Sequence, residues 1–269
     1  GDDGGLSPRI PAASEDGPTI ATVRQIVDAA VAEDPGGPAR IATVSPEAQK
    51  VLAWVDGVPG FGWQRWTPTE PDAPVSVTED PKGVFGQDTV HLGNGLVELD
   101  VDPRTGTFAL DGVTGLGRLV DDGDTGDTYN YNPPADDTVV DLPERVEVTV
   151  VERGPLRARV AITRHYRWPT HAQGERRVGD AAVAVTTVVE VQAGSPVVRI
   201  DVGLDNPCRD HRLRMWFPLP HPAETSEAEC AFATVVRPTV AEGGPTERAL
   251  ATFPSRRFVS AGGLTVTHE

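Results

Sequence analysis

From Val90 to the last residue the chain repeats one pattern: a run of β-branched and aromatic residues, then a turn built from Gly, Pro, Asn or Asp. The runs are VHLGNGLVELDVD, GTFALDG, VEVTVVERG, LRARVAITRHYRW, AAVAVTTVVEVQA, PVVRIDVGLDN, HRLRMWFPLP, CAFATVVRP and GGLTVTHE. DPRTG, ERGP, QAGSP and LDNP separate them with strong turn chemistry. Side chains of a strand point alternately to its two faces. LVELDVD therefore sets Leu96, Glu98 and Asp100 against Val97, Leu99 and Val101. In ARVAITRHYRW, Val160, Ile162, Arg164, Tyr166 and Trp168 share one face. Strands joined by turns, with almost no helix, mean an all-β sandwich or barrel. The length of the runs favours a large sandwich. The 28 Gly and 25 Pro fit many turns and stay below the level of a disordered chain.

The N-terminal part differs. Residues 1–18 hold Gly, Pro, Ser and Asp with little apolar content and read as a linker or tail. Residues 19–75 read as a small, mostly-β flanking segment, with ARIATVS and KVLAWVDGV as its strands. Within it, TIATVRQIVDAAVAED places Val23, Ile26, Val27 and Ala30 at helical spacing, yet its β-branched residues also allow a strand. DPGGP ends that stretch. Residues 76–269 form the main β domain.

The net charge is −16. Binding phosphates needs a basic face, so nucleic acid is not an expected partner. Anionic membrane surfaces are disfavoured for the same reason, and no apolar run of about 18 residues exists. Cys208 and Cys230 make neither a disulfide framework nor a metal site. They read as free thiols of a reducing, cytoplasmic compartment.

DDGDTGDTYNYNPP (121–134) invites a calcium reading. An EF-hand loop started at Asp122 needs Gly at its sixth position and Glu at its twelfth, where Asp127 and Pro133 stand. The template fails, and the acidic half reads as a solvated turn. No nucleophile-elbow, zinc-helix or phosphate-loop motif occurs; GNG at 93–95 is too short to cradle phosphate. His211 sits in CRDHRLRMW beside Asp210, Arg212 and Arg214, as a cross-strand charge network or a sugar-facing cluster. Trp63, Trp66, Tyr129, Tyr131, Trp168 and Trp216 are candidate sugar platforms, although a strand Trp is more often core. Among 40 acidic residues nothing selects a catalytic pair.

Several segments in series carry a resemblance. They are VPGFGW (58–63), LGNGLVELDVDPRTGTFAL (92–110), GDTGDTYNYNPP (123–134), VVERGPLRARV (150–160), TTVVEVQAGSPVVRIDVGLDNPCRDHRLRMWFP (186–218), and RP followed by FPSRRFV (237–259). Over residues 38–269 the chain resembles the C-terminal β region of glycoside hydrolase family 38, the zinc-dependent retaining α-mannosidases, in their bacterial branch. The resemblance implies a large β-supersandwich of the galactose-mutarotase-like kind, preceded by a small β segment and truncated at its C-terminus. It also implies that the nucleophile and the zinc ligands lie in an N-terminal catalytic domain outside this sequence. No catalytic residue and no metal ligand is then expected here. The expected partners are an α-mannoside substrate and the parent's own catalytic and helical domains.

One family site residue carries over. A loop tyrosine that hydrogen-bonds the sugar matches Tyr129 in GDTYNYNP, with Tyr131 as the packing aromatic. His211 and Arg214 are weaker candidates for the same pocket. Two rival expectations stand beside this one: a stand-alone carbohydrate-binding module, and a structural sandwich without a ligand. A domain that docks on a larger enzyme should also expose an apolar patch.

Overall fold

The computed structural model describes residues 20–33, 35, 51–55, 57–81, 83, 85–86, 88–127, 131–241, 243–245, 249–250 and 252–268. The chain divides into two compact units, Gly1–Leu52 and Ala53–Glu269. In the first, the helix α1 spans Ile20–Glu33. Val23, Ile26 and Ala30 are half-buried between exposed neighbours, so the helical spacing prevails over the β-branched content. The expected strand ARIATVS lies outside the described residues. The expected strand KVLAWVDGV is not one: its described residues 51–55 and 57–58 form no regular element.

The second unit is all β and antiparallel. A meander holds β1 (Ser76–Asp80), β2 (Thr89–Gly93), β3 (Glu98–Val101), β4 (Phe108–Leu110) and β5 (Val113–Leu116), in that order. A four-stranded sheet holds β7 (Arg145–Arg153), β8 (Arg157–Trp168), β11 (Ala181–Gln192) and β12 (Val198–Leu204), in the order β12-β11-β8-β7. A two-stranded ribbon pairs β6 (Arg118–Gly123) with β13 (His211–Trp216). β9 (His171–Gln173) and β10 (Arg176–Val178) form a hairpin. The C-terminal sheet runs β15-β14-β16-β17, from β14 (Thr225–Cys230), β15 (Ala233–Pro238), β16 (Phe258–Ala261) and β17 (Leu264–Thr267). The runs VHLGNGLVELDVD and CAFATVVRP thus each break into parts of two strands.

The core follows the alternation. Val97, Leu99 and Val101 are buried, while Leu96 and Glu98 are exposed. On β8 every second residue from Ala158 to Trp168 is buried. Leu92, Leu99, Val101 and Phe108 of the meander meet Val160, Ile162, Val189 and Val191 of the four-stranded sheet in one cluster. The ribbon covers the far half of the same sheet. There Leu119, with Leu213 and Met215, packs on Tyr166, Trp168, Val183 and Val185. β8 and β11 are therefore the shared floor of a large sandwich.

Two polar residues tie the layers together. Asn94 Nδ2 donates to the Gln192 and Ser195 carbonyls, both at 2.7 Å. Its Oδ1 accepts from the Leu96 and Val97 amides at 2.9 and 3.0 Å. The GNG turn is thus a staple between the β2–β3 hairpin and the β11–β12 turn. Arg164 is fully buried on the core face of β8. It donates to Thr187 Oγ1 at 3.3 Å and to the Gly106 carbonyl. Burial lowers its pKa from the ordinary arginine value.

Candidate functional site

The site is built on the β6–β13 ribbon. Its register pairs Arg118 with Trp216, Val120 with Arg214, and Asp122 with Arg212. Residues directly opposite share a face. One face therefore carries Arg118, Val120, Asp122, Arg212, Arg214 and Trp216. The other carries Leu119, Asp121, His211, Leu213 and Met215, and packs inward.

The first three residues of DDGDTGD are strand and not a solvated turn, and here the expectation is corrected; residues 125–127 are the exposed loop expected. Asp121 and Asp122 lie in β6 at 0% and 4% exposure. A buried carboxylate must be paired, and both are, on opposite faces. Asp121 accepts from Arg177 Nη2 at 2.5 Å and stands 2.5 Å from His211 Nδ1. Arg177 also donates to the Thr138 carbonyl at 2.9 Å. Asp122 accepts from Tyr131 Oη at 3.0 Å, from Arg212 at 3.3 and 2.9 Å, and from Arg214 at 2.7 Å. The Arg212 guanidinium also lies over the Tyr131 ring, 3.5 Å from its centroid.

The electrostatics follow from this packing. Burial works to raise the Asp122 pKa. The hydrogen bonds from Arg212 and Tyr131 and the charges of Arg214 and Arg212 outweigh it, and the pKa falls below the ordinary 3.8. Tyr131 moves the other way: burial raises its pKa, and its bond to Asp122 adds to the rise. Burial works to lower the Arg212 pKa, but its bond to Asp122 leaves it raised.

The remaining acidic and amide residues close the base of the loop that follows. Asp124 Oδ1 accepts from the Gly126 and Asn132 amides, both at 3.0 Å. The Thr125 amide donates to the Asn132 carbonyl at 2.9 Å. Gly126 and Asn132 are thus tied to one carboxylate, and Tyr131 is docked on the ribbon. Tyr129 lies outside the described residues.

Of the remaining candidates, Arg214 joins Tyr131 at Asp122. His211 does not; it faces the opposite side of the ribbon, with its Nε2 3.2 Å from Asn206 Oδ1. The cross-strand charge network is what the CRDHRLRMW cluster forms. Trp168 is core, at 1% exposure. Trp63, Trp66 and Trp216 are exposed; Trp216 has Arg118 and Arg214 over its ring, 5.0 and 5.4 Å from its centroid. Arg177 and Asp122 carry this site, and the sequence reading named neither as a site residue. Among the described residues no three His, Cys, Asp or Glu side chains converge as metal ligands. Asp121 and Asp122 point to opposite faces, so they cannot flank one glycosidic bond.

A family model described as glycosyl hydrolases family 38 C-terminal domain matches residues 92–262, which hold the ribbon, the loop and most of the sandwich. The chain belongs to this family. Among solved structures, an alpha-mannosidase from Enterococcus faecalis V583 is similar at 20% identity and a TM-score of 0.59, covering 70% of this chain and 23% of its own. A protein in the glycosyl hydrolase family 38 from Enterococcus faecalis aligns at 19% identity and a TM-score of 0.49, covering 73% of this chain and 24% of its own. This chain therefore spans about a quarter of the length of either. Searched against curated proteins, the chain finds no match. The family 38 C-terminal fold, all-β and sandwich-like, is the one expected. No helix among the described residues is long and apolar enough to cross a membrane.

Proposed function

We propose that this chain is the C-terminal β region of an α-mannosidase-type glycoside hydrolase that cleaves α-mannosidic bonds with retention. Its part in the intact enzyme is to buttress the catalytic domain and to supply one wall of the sugar pocket. The observation that carries this reading is the loop base at Asp124 and Thr125, with Tyr131 locked on Asp122 and Arg212. Such a clamp fixes the two flanks of the loop, at Thr125–Gly126 and at Tyr131–Asn132, and a pocket wall needs fixed supports of this kind. Tyr129, inside that loop, is the residue we assign to the sugar, as a hydrogen-bond partner for its hydroxyls.

The two carboxylates that retention needs, and the zinc ligands, we place in a catalytic domain outside this sequence. Among the described residues no cluster of His, Cys, Asp or Glu fits a metal. A cytoplasmic setting fits the two free thiols, Cys208 and Cys230.

A second observation supports the docking role. On β12, Val202 and Leu204 oppose Thr187 and Val185, so they lie on the core face of the sheet. Yet they are 44% and 36% exposed, while Val198 and Ile200 on the same face pack against the core. That end of the sheet fits a surface covered by another domain.

The test is Tyr129→Phe in the intact enzyme. Activity on an aryl α-mannoside should fall, with the far-UV spectrum and melting temperature of the isolated 269-residue chain unchanged. Full activity in the variant would remove Tyr129 from the pocket wall.

A further inference from the structure

A cleft opens at the end of the ribbon opposite Tyr131. Arg118 and Asp122 stand four positions apart on β6, about 13 Å along a strand. The cleft there has a volume of 420 Å³, inside the range of about 300–1,000 Å³ usual for small-molecule sites. Pro143 and Pro218 line it with Leu142, giving flat apolar walls. Its polar lining includes Thr107, Tyr166, Arg118 and Asp141.

Tyr166 is the unusual member. It is 2% exposed on the core face of β8 and lines the cleft. Its ring packs on Trp168, with centroids 5.7 Å apart. Its hydroxyl has no hydrogen-bond partner among the described residues. Open to the cleft and without a protein partner, it is available to pair with a hydroxyl of a bound molecule. Burial pushes the Tyr166 pKa up to about 12, so the hydroxyl keeps its proton and can donate.

The other groups set the chemistry of that partner. Thr105 Oγ1 donates to Asp102 Oδ2 at 2.9 Å and lies 2.8 Å from Thr107 Oγ1. With the Thr105 proton used, Thr107 is the donor of that pair. Its remaining lone pair is free to accept from a ligand hydroxyl. Arg118 Nη1 donates to Asp141 Oδ2 at 3.0 Å, and the two charges offset each other. The cleft therefore has no uncompensated cation to hold a phosphate or carboxylate. It offers Tyr166 and Arg118 as donors, and Thr107 and Asp141 as acceptors, between apolar walls. Groups that both donate and accept, ranked on a ring with one apolar face, satisfy such a lining.

We propose that this cleft binds a neutral pyranose, with Tyr166, Thr107, Arg118 and Asp141 pairing its hydroxyls. The site is separate from the Tyr131–Asp122 contact, carries out no hydrolysis, and does not depend on the pocket-wall reading.

The experiment is a ¹⁵N–¹H NMR titration of the 269-residue chain with methyl α-D-mannopyranoside to about 50 mM, with glucuronate as the charged control. Saturable shifts at Gly115 and Leu142 are expected, with weaker binding of glucuronate. Tyr166→Phe should raise the Kd about five- to tenfold, the loss of one hydrogen bond. It should not lower the melting temperature, because the hydroxyl has no protein partner to lose. A merely structural role for Tyr166 predicts the reverse pair of results. If Tyr166→Phe fails to fold, Thr107→Val carries the affinity test. The proposal is overturned by an absence of saturable shifts, by shifts confined to residues 124–134, by tighter binding of glucuronate, or by a Kd that neither variant changes.

Discussion

Asp122→Asn keeps the shape of the side chain and removes its charge. Asp122 is buried and accepts four hydrogen bonds, one from Tyr131, two from Arg212 and one from Arg214. The amide turns one acceptor into a donor that faces guanidinium N–H groups, and both arginines lose their counter-charge. Breaking a buried ion pair from one side costs about 3–5 kcal/mol. The Arg212 and Arg214 side chains are 21% and 33% exposed, so both can turn partly to water. A loss of about 2–3 kcal/mol at neutral pH is therefore expected. The pH dependence has a definite sign. The folded pKa of Asp122 lies below its ordinary 3.8. Its contribution is complete above 3.8 and is lost as pH falls through the folded value. Urea unfolding of the wild-type and variant chains across that range reads the difference directly. The gap should be flat from neutral pH down to about 4, and should close below it. A gap under about 0.5 kcal/mol at neutral pH, or one that stays constant into strong acid, would refute the ion-network account of this ribbon.

Asn94→Asp keeps the acceptor for the Leu96 and Val97 amides but sets a carboxylate against the Gln192 and Ser195 carbonyls; urea unfolding should show a loss of about 2–4 kcal/mol, much of it recovered in acid as the carboxyl regains a proton. Gly106→Ala should cost more than about 1 kcal/mol by the same measurement, since Gly106 has φ +71° and an added Cβ would stand 2.5 Å from Arg164 Nε. The isolated chain, assayed with an aryl α-mannoside, should release no product above a buffer blank; turnover at an enzyme-like rate would overturn the placement of the catalytic carboxylates elsewhere.

Strand identity was legible where it is a local property. Alternation in LVELDVD and ARVAITRHYRW is written in adjacent residues, and β3 and β8 bury the faces it names. The GNG turn was legible as a turn but not as a staple, because Asn94 finds its acceptors 98 and 101 positions away. The helix at 20–33 was ambiguous because its spacing and its β-branched residues point different ways. β6 was missed because its carboxylates mimic solvated turn residues.

The sequence alone determined the class of architecture, since period-2 burial and turn chemistry act over a few neighbouring residues. It also carried the family, through motifs in series that the match over 92–262 shares. Only the tertiary structure decided what the acidic stretch is. Asp121 is buried because Arg177, 56 positions on, and His211, 90 positions on, reach it. Asp122 is buried because Arg212 and Arg214 arrive on the facing strand, 90 and 92 positions away. A carboxylate tolerates burial only beside such partners, and nothing local in DDGDTGD tells which strand will bring them.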